Sequence, residues 1–344
     1  MKNPSVAIVI LNWNGKNWLE KFLPNVIENS IQGKIFVADN ASTDESLPFL
    51  QQHYPQVEII RNSDNFGFAR GYNEALQKIQ ADYYILLNSD IQVEKDWLLP
   101  MISFMESHPD VAACMPKILD YHQRNKFEYA GACGGFIDTL GYPFCRGRIF
   151  EETETDRGQY DNNIEIFWAT GACLFIRANI FHEIKGFDDD FFAHMEEIDL
   201  CWRIKNKGYK IFVIPDSRVY HVGGGTLQKT NPAKTYLNFR NSLITLTKND
   251  FSSSIILKVV IRLLLDGVTG IKFLISGMPK HCWAIVRSHW SYFLSIRKTL
   301  RKRREQIESI RNQTLTKPIL RNSIVWFFYA KKIRKFSEIS SQIN

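Results

Sequence analysis

An alternation of short apolar runs with helical patterns constrains the fold of this chain more than any other feature. Ser5–Leu11 is a continuous apolar run rich in β-branched residues, which is typical of a strand buried on both faces. The order then recurs, with predicted helices to about Asn29, to about His53 and over Phe68–Ile79, and predicted strands at Lys34–Ala38, Val57–Ile60 and Tyr83–Leu87. This alternation predicts an α/β fold: a doubly wound, mostly parallel sheet with helices on both faces.

Polar side chains follow three of these predicted strands. Asn12 and Asn14 come after the first strand, Asp39 after the second, and Asn88 and Asp90 after the fourth. In open α/β sheets, ligands bind outside the carboxyl ends of the strands. We therefore expect these side chains to surround a ligand.

Beyond the fourth strand the pattern is less regular. Residues 117–163 are rich in glycine and aromatic residues, which indicates an insertion near a pocket. Further predicted features are an ordered segment at Phe167–Ile176, a helix over about Asp190–Lys207 that ends at the left-handed cap Gly208, a strand at Lys210–Pro215, and then His221 before the glycines Gly223–Gly225.

Asp90 and His221 are candidate metal ligands. A carboxylate directly after a buried strand suits a hard divalent cation, whose other ligands would be phosphate oxygens and water. The imidazole of His221 can ligate the same ion. The alternatives are that Asn88 and Asp90 form only a turn and that His221 is structural.

Three acidic residues within four positions are the candidate catalytic groups. Glu196 and Asp199 share one face of the predicted helix, and Glu197 points about 100° away. Repulsion among them can raise the pKa of one carboxyl, and a raised pKa suits a general base at neutral pH. The alternative is a solvated helix with pairs such as Asp199 and Arg203.

The charge of the chain is unevenly distributed. Residues 251–344 contain 18 Lys and Arg against 4 Asp and Glu, a net charge of +14, whereas residues 1–250 carry a net charge of −7. The asymmetry predicts two parts, a ligand-binding domain at 1–250 and a basic helical region at 251–344. A basic region favours a polyanionic surface, either membrane or nucleic acid.

The basic region begins with an amphipathic pattern. Ile255–Ile275 is apolar but contains charged residues, so it is a poor membrane-spanning segment. Lys258, Arg262 and Asp266 are spaced by four and share one helical face, with leucines and isoleucines opposite. Basic clusters beside aromatic residues recur at 297–304 and 326–335, which favours contact with a membrane surface. The alternative is a helical subdomain packed on the core with a solvated charged face.

Cysteine usage and the N-terminus bear on location. The six cysteines show no zinc spacing and no disulfide framework, which favours a reducing compartment. Met1–Pro4 leads directly into the first strand, so we expect no cleavable signal peptide. We predict a cytoplasmic protein, peripheral at the inner face of the cytoplasmic membrane.

Several other classes of protein are disfavoured. Gly67 and Gly71 permit close backbone approach at a helix start, but their order is not that of a dinucleotide-binding fingerprint, and the spacing of a phosphate-binding P-loop is absent. Nucleic-acid-binding modules rich in Lys and Arg do not match the acidic first part of the chain, so we expect no nucleic acid partner.

A set of short motifs occurs in a fixed order over about residues 5–245. The motifs are Asn12-Trp13-Asn14, Asp39-Asn40-Ala41-Ser42-Thr43-Asp44, Asn65-Phe66-Gly67, Asn88-Ser89-Asp90, Thr170-Gly171-Ala172, Gly186-Phe187-Asp188, the stretch Phe192–Arg203, Gly208-Tyr209 and His221. Their order resembles that of glycosyltransferase family 2, of the GT-A fold, and particularly its bacterial rhamnosyltransferase-like branch.

This resemblance implies a metal-dependent inverting glycosyltransferase, a hexosyltransferase that uses Mg²⁺ or Mn²⁺. The donor would be a nucleoside diphosphate sugar, dTDP- or UDP-linked and possibly carrying rhamnose, and the acceptor a hydroxyl of a surface glycan or lipid-linked saccharide. Nucleotide-binding residues would be Asn12, Asn14, Asp39, Asn65, Arg70 and Asn88, and metal ligands Asp90 and His221.

The family implies the catalytic assignment as well. Relatives usually have Glu-Asp where this chain has Glu196-Glu197, and the second acid is the usual base, which indicates Glu197, with Asp199 second. Asn88 replaces the first acid of the metal motif of the family. Trp168 and the Tyr129–Gly135 stretch are expected to form the wall of the acceptor site.

Two other functions compete with this one. Asn88 in the place of an acid is compatible with a non-catalytic scaffold that binds sugar nucleotides, derived from such an enzyme. A nucleotidyltransferase shares the sheet and the metal but needs a basic, glycine-rich loop near its N-terminus, for which Asn12–Lys16 is too short.

Overall fold

The computed structural model describes residues 4–223, 231–310 and 317–343. Met1–Asn3, Gly224 and Gly225, which entered the sequence predictions, lie outside these residues. The strands are β1 (Val6–Asn12), β2 (Lys34–Asp39), β3 (Glu58–Arg61), β4 (Tyr83–Asn88), β5 (Ile91–Val93), β6 (Val111–Asp120), β7 (Gly135–Asp138), β8 (Pro143–Cys145), β9 (Arg148–Ile149), β10 (Glu152–Thr153), β11 (Ile164–Glu165), β12 (Cys173–Arg177), β13 (Lys210–His221) and β14 (Ile319–Leu320).

The helices surround and extend this set of strands. They are α1 (Lys16–Asn29), α2 (Ser46–His53), α3 (Gly67–Leu76), α4 (Leu98–Ser107), α5 (Ala178–Glu183), α6 (Glu196–Asn206), α7 (Pro232–Asn249), α8 (Ile255–Ile275), α9 (Pro279–Ser309) and α10 (Ile324–Tyr329).

Nine strands form the central sheet, in the order β11-β13-β6-β12-β4-β1-β2-β3, with β5 beside β13. The pairs β1–β2, β1–β4, β2–β3 and β6–β13 are parallel, and β12 runs antiparallel between β4 and β6. Because β1 and β4 are central, their apolar runs are buried on both faces. The predicted α/β class with a mostly parallel sheet is confirmed.

The predicted boundaries fail where backbone conformation departs from the regular pattern. The helix expected over Asp190–Lys207 begins only at Glu196, because His194 and Met195 have φ angles of 68° and 72° and cannot belong to a right-handed helix. The last long strand continues to His221, and a register shift against β6 lies between Ile214 and Arg218.

The region expected to be irregular contains a second, small sheet. Its order is β10-β9-β8-β7-β14, so a strand from the C-terminal region completes a sheet that the insertion begins. Ile324 N donates a 2.8 Å hydrogen bond to Asp138 Oδ2 next to this pairing. Residues 317–343 are therefore packed on the insertion.

The helices of the basic region pack on the first part of the chain. Helix α9 lies along α7, and Lys302 pairs with Asp188 and, at 2.8 Å, with Asp190. Tyr292 and Leu320 belong to the same buried apolar cluster as the central strands. The boundary predicted at residue 250 stays a prediction. Across the described residues, no helix combines the length and apolar character needed to cross a membrane.

Candidate active site

Asp90, Asn88 and His221 meet at the carboxyl edge of the central sheet. Asn88 ends β4, Asp90 follows in the turn to β5, and His221 ends β13, where it pairs with Ile91. Asp90 Oδ1 lies 3.1 Å from His221 Nε2, and Asn88 Nδ2 lies 3.4 Å from the same nitrogen. Asp90 and His221 are both buried. The sheet thus brings together the two predicted metal ligands.

Glu128, which the sequence did not indicate, lies on the opposite edge of the same imidazole. Its Oε2 is 3.2 Å from His221 Nδ1 and accepts a 2.5 Å hydrogen bond from Ala130 N. The two ring nitrogens of a histidine point in different directions, so Glu128 and Asp90 cannot share one cation with His221. Nothing in the sequence of the irregular region distinguishes Glu128, which is buried, from the exposed acids nearby.

The protonation of His221 follows from these two carboxylates. Burial by itself would lower its pKa, but Glu128 and Asp90 outweigh burial and raise the pKa of His221 to about 10. Burial would raise the pKa of Asp90, yet its hydrogen bond and charge interaction with His221 lower it below the usual value. The cluster therefore attracts positive charge.

The donor set fits a hard divalent cation in part. Over the described ranges, no three His, Cys, Asp or Glu side chains form a metal-binding group. The 3.1 Å between Asp90 and His221 is close to the separation of about 3 Å expected for two ligands at right angles around a Mg²⁺-sized ion. The remaining ligands would have to be phosphate oxygens and water, which is how such ions usually bind at phosphate sites.

Asn12, Asn14 and Asp39 form one hydrogen-bonded group with Ser42. Asn12 Nδ2 donates to Asp39 Oδ1 and to Ser42 Oγ, both at 3.1 Å, and Asp39 Oδ2 accepts from Ser42 N at 3.0 Å. Asn14 is exposed with a φ of 49°, and its Oδ1 accepts from Thr43 N at 2.7 Å. The first two predicted strand ends therefore converge.

Gly15 connects this group to the metal edge. A Cβ at residue 15 would lie 2.4 Å from Asn12 Oδ1 and 3.8 Å from Ser89 Oγ, so only glycine fits between the two strand ends. Asn12 Oδ1 itself is buried and accepts no hydrogen bond from the described residues. An unpaired buried acceptor at a ligand edge is an expected feature of a binding site.

Asn65 and Arg70 are less directly connected to this group. Asn65 Oδ1 accepts a 3.0 Å hydrogen bond from Gly67 N at the start of α3. Arg70 is exposed, stacks 4.1 Å from the Phe66 ring centroid and pairs with Glu74 at 3.3 Å. Their predicted nucleotide contacts stay predictions.

Two asparagines for which the sequence predicted no role, Asn40 and Asn62, hold α3 against the strand ends. Asn40 Nδ2 donates to Gly67 O at 2.8 Å, and Asn62 Nδ2 donates to Asn40 Oδ1 at 2.7 Å. Both are buried. A buried Asn after a strand could have been identified only by its position at the ligand edge.

The acidic segment begins with a strained turn. His194 and Met195 are both left-handed, and Asn241 Nδ2 holds the turn by donating to Ala193 O at 3.0 Å and to His194 O at 2.8 Å. Left-handed residues other than glycine are costly and tend to occur at functional sites. The turn places Glu196 and Glu197 in the first turn of α6.

Glu196 is buried and Glu197 is half-buried, and neither carboxyl group pairs with a cation among the described residues. Their Oε2 atoms, like His194 Nε2, are buried and have no hydrogen-bond partner among the described residues. Burial raises the pKa of Glu197 to about 7. Burial, and then the charge of Glu197, raise the pKa of Glu196 well above its usual value. A carboxyl group that titrates near neutral pH is suited to proton transfer.

Asp199 is arranged differently from the two glutamates. It is fully buried; Oδ2 accepts from Arg203 Nε at 2.9 Å, and Oδ1 lies 2.7 Å from both Lys248 Nζ and Asn249 Nδ2. The pair with Arg203, expected for a surface helix, is present but buried. These contacts attach α6 to α7.

The acidic segment also contacts the start of α3. Phe68 N donates to Phe192 O at 2.8 Å, and a Cβ at Gly67, whose φ is 71°, would lie 2.5 Å from the same oxygen. The segment that leads to Glu196 is therefore adjacent to Asn65.

Trp168, expected to form an acceptor wall, is instead buried: Nε1 donates to Phe136 O at 2.9 Å, and the ring packs on Gly135.

Among the proteins similar in sequence are two named as rhamnosyltransferases. The chain is 25% identical over 225 residues to the rhamnosyltransferase WbbL of Escherichia coli, which covers 63% of this chain and 83% of that protein. It is 23% identical over 233 residues to an N-acetylglucosaminyl-diphospho-decaprenol L-rhamnosyltransferase of Mycobacterium tuberculosis, covering 63% of this chain and 75% of the relative.

Solved structures resemble the fold over more of the chain. The mannosyltransferase PcManGT of Pyrobaculum calidifontis, in complex with GDP-Man and Mn²⁺, aligns with a TM-score of 0.52 at 14% identity, over 85% of this chain and 88% of that one. GalNAc-T7 with UDP, GalNAc and Mn²⁺ aligns with a TM-score of 0.56 at 17% identity, over 72% of this chain but only 48% of that one. Both are GT-A glycosyltransferases, which confirms the predicted fold.

The family model described as Glycosyl transferase family 2 matches residues 5–185, more than half of the chain. The matched segment contains Asn12, Asp39 and Asp90, and the segment after it contains Glu197 and His221. The sequence match and the sheet order agree, and the structure brings Asn12 to Asp39 and Asp90 to His221: this chain belongs to glycosyltransferase family 2.

Proposed function

We propose that this protein is a metal-dependent inverting glycosyltransferase. It would move a sugar from a nucleoside diphosphate to a hydroxyl group of a surface glycan or lipid-linked saccharide. The observation that carries the proposal is the 3.1 Å approach of Asp90 and His221 at the carboxyl edge of the sheet, beside the Asn12–Asp39 group.

The donor would bind along this edge. Asn12, Asn14 and Asp39 would hold the base and ribose, and Asn65, Arg70 and Asn88 would lie along the same site. Asp90 and His221 would hold Mg²⁺ or Mn²⁺, which supplies positive charge for the departing diphosphate. The two GT-A neighbours were solved with Mn²⁺ and a nucleotide or nucleotide sugar, which supports this arrangement.

Glu197 is the proposed general base. It would take the proton of the acceptor hydroxyl while that oxygen bonds to the anomeric carbon from the face opposite the diphosphate. The bond to the diphosphate breaks, and the nucleoside diphosphate leaves with the electron pair. Glu197, with a pKa of about 7, can be deprotonated at neutral pH. Asp199, saturated by Arg203, Lys248 and Asn249, would support α6.

The names of the relatives support a substrate class. A rhamnosyltransferase that acts on N-acetylglucosaminyl-diphospho-decaprenol suggests dTDP-rhamnose as donor and a saccharide linked to a polyprenyl diphosphate as acceptor. A panel of dTDP-, UDP- and GDP-sugars tested by thermal unfolding with Mn²⁺ would identify the donor. A donor present at 100 times its Kd should stabilise the fold by about 2.7 kcal/mol.

The decisive experiment measures nucleoside diphosphate release with donor, Mn²⁺ and a lipid-linked acceptor. Glu197→Gln should lower kcat by about 10²–10⁴-fold and leave nucleotide affinity unchanged, because a base acts only on the acceptor proton. Asp90→Ala should remove the Mn²⁺ dependence of nucleotide binding measured by calorimetry. Wild-type kcat in Glu197→Gln would exclude the base, and donor binding without any release would favour the non-catalytic scaffold.

A further inference from the structure

Helix α8 is amphipathic, but its polar face packs on the protein and its apolar face is exposed, the reverse of a helix that packs on a core. Its three buried residues are Arg262, Asp266 and the small Gly270. Its exposed side chains, apart from Lys272, are apolar and between 48% and 83% exposed: Ile256, Leu257, Val260, Leu264, Val268, Ile271, Leu274 and Ile275. The polar face is inside, and the apolar face is in contact with solvent.

Specific contacts fix this orientation. Arg262 donates to Leu140 O at 2.9 Å and to Ser242 Oγ at 2.6 Å. Asp266 Oδ2 lies 3.2 Å from His289 Nε2 on α9. Turning the helix to bury its leucines would expose these contacts and leave their partners unsatisfied, so the apolar face cannot be buried against the protein without breaking them.

Helix α9 extends the apolar face and ends it with basic residues. Gly270 of α8 packs beside Cys282 and Ile285, so the two helices are neighbours. Exposed residues then follow along one side of α9, spaced by three or four except for the adjacent Phe293 and Leu294. The first are apolar or aromatic (Trp283, Val286, Trp290, Phe293, Leu294) and the later ones basic (Arg297, Arg301, Arg304). Within the described residues, Arg297 and Arg304 pair with no carboxylate. We call these exposed residues of α8 and α9 the bilayer face.

We propose that the bilayer face binds the surface of a membrane that contains anionic lipid, with α8 and α9 lying in the plane of the bilayer. Contiguous exposed apolar side chains of this extent mark an interaction surface. Tryptophan and arginine beside an apolar stripe are the side chains that suit the interface between acyl chains and anionic headgroups. Because none of the described helices could cross a membrane, α8 would lie on the bilayer.

The charges favour a membrane over a second copy of this chain. In a symmetric dimer the same patch meets itself. Such a contact would bring two sets of Arg297, Arg301 and Arg304 together, in regions of net charge +14 each. Anionic lipid neutralises those arginines instead. The inference goes beyond the proposed transferase function and does not rest on it, since lipid binding needs neither donor nor metal. The inner face of the cytoplasmic membrane stays the predicted location.

The test is cosedimentation of the full chain with vesicles of phosphatidylcholine, with and without phosphatidylglycerol. The variant Leu264→Glu/Val268→Glu places two charges on the exposed face of α8 and should weaken vesicle binding at least about tenfold. Ile31→Glu is the matched control, because Ile31 is 83% exposed and lies between α1 and β2. It should bind like the wild type, and circular dichroism should show that both variants are folded.

A second variant separates the charge contribution from the apolar one. Arg297→Gln/Arg301→Gln/Arg304→Gln should weaken binding to vesicles with phosphatidylglycerol by about 100-fold, since each of the three basic residues near an anionic surface contributes about a factor of five. Binding to phosphatidylcholine alone should not change.

Two results would overturn the proposal. One is that the wild type binds neither kind of vesicle, or that the Leu264→Glu/Val268→Glu variant binds vesicles as tightly as the wild type. The other is a wild-type dimer in sedimentation equilibrium that this variant converts to a monomer, without vesicle binding, which would assign the face to a second copy. Neither result would affect nucleoside diphosphate release from a soluble acceptor analogue, so failure of the transferase proposal would be recognised separately.

Discussion

Helices α6 and α8 both bury charged residues, but they do so in opposite ways. In α6, Glu196 is buried and Glu197 half-buried, and in the described part of the chain neither has a cation beside it and the buried Oε2 of each lacks a hydrogen-bond partner. In α8, Arg262 is bonded to Leu140 and Ser242, and Asp266 to His289. The first arrangement leaves two acids without charge compensation, whereas in the second each charged side chain has a partner, although Arg262 Nε makes no hydrogen bond within the described residues.

The difference indicates where each helix meets its partner. An unpaired buried carboxylate costs free energy, and it is retained where a reaction uses its raised pKa. A buried pair of opposite charges, such as Arg262 and Asp266, does not indicate a reactive group. In α8 the feature that indicates a partner is the exposed apolar face. The function that we propose lies with the acids in α6, and with the exposed leucines, isoleucines and valines in α8.

The largest expected effect on stability comes from removing Arg262, the buried cation of α8. Arg262→Leu removes two hydrogen bonds and leaves Asp266 buried with less compensation, so it should lower the free energy of unfolding by about 3–5 kcal/mol. Urea denaturation followed by circular dichroism measures this. Lys272→Leu, on the exposed side of the same helix, is the control and should change stability by less than about 0.5 kcal/mol. Equal, small effects would show that α8 is not held by its charged face.

Removing the charge of Glu197 in α6 should instead increase the free energy of unfolding. Folding raises the pKa of Glu197 from 4.5 to about 7, so the wild type should lose stability as pH rises between these values. Glu197→Gln removes that titration and should be more stable than the wild type by about 3 kcal/mol above pH 7, although we expect it to be less active.

Chemical denaturation across pH 4–8 tests this stability difference. Glu20→Gln, an exposed acid paired with Lys16, is the control and should leave the pH profile unchanged. A Glu197→Gln profile parallel to that of the wild type would show that Glu197 is not desolvated, and the comparison with α8 would lose its basis.

These two helices also show what the sequence can and cannot specify. Periodicity correctly placed Arg262 and Asp266 on one face of α8 and leucines opposite, but periodicity does not say which face is buried. That depends on Leu140 and Ser242, distant in sequence. The start of α6 was placed too early because the left-handed turn at His194 is held by Asn241, in another helix.

The site shows the same division. Strand ends are local features, so Asn12, Asp39 and Asp90 could be identified from the sequence, and parallel pairing made their convergence predictable. Trp168 was predicted to contact the acceptor, but it packs against Gly135. That packing depends on the fold of the insertion, which the sequence did not reveal. Glu128 was missed for the same reason.

Glu128 gives the smallest effect and the sharpest test, because it is a buried carboxylate of the site that does have a partner. At 3.2 Å from His221 Nδ1, it can hold the ring so that Nε2 faces Asp90. Loss of such an outer partner typically weakens metal binding by about 10–100-fold. Since Asp90 remains, we expect about tenfold weaker Mn²⁺ binding in Glu128→Met, measured by electron paramagnetic resonance with nucleoside diphosphate present. Glu128→Gln has a similar volume and an amide oxygen that can still accept from Nδ1, so it should keep most of the affinity. If both variants bound Mn²⁺ like the wild type, Glu128 would only fill space, and the position of His221 would be set by β13 alone.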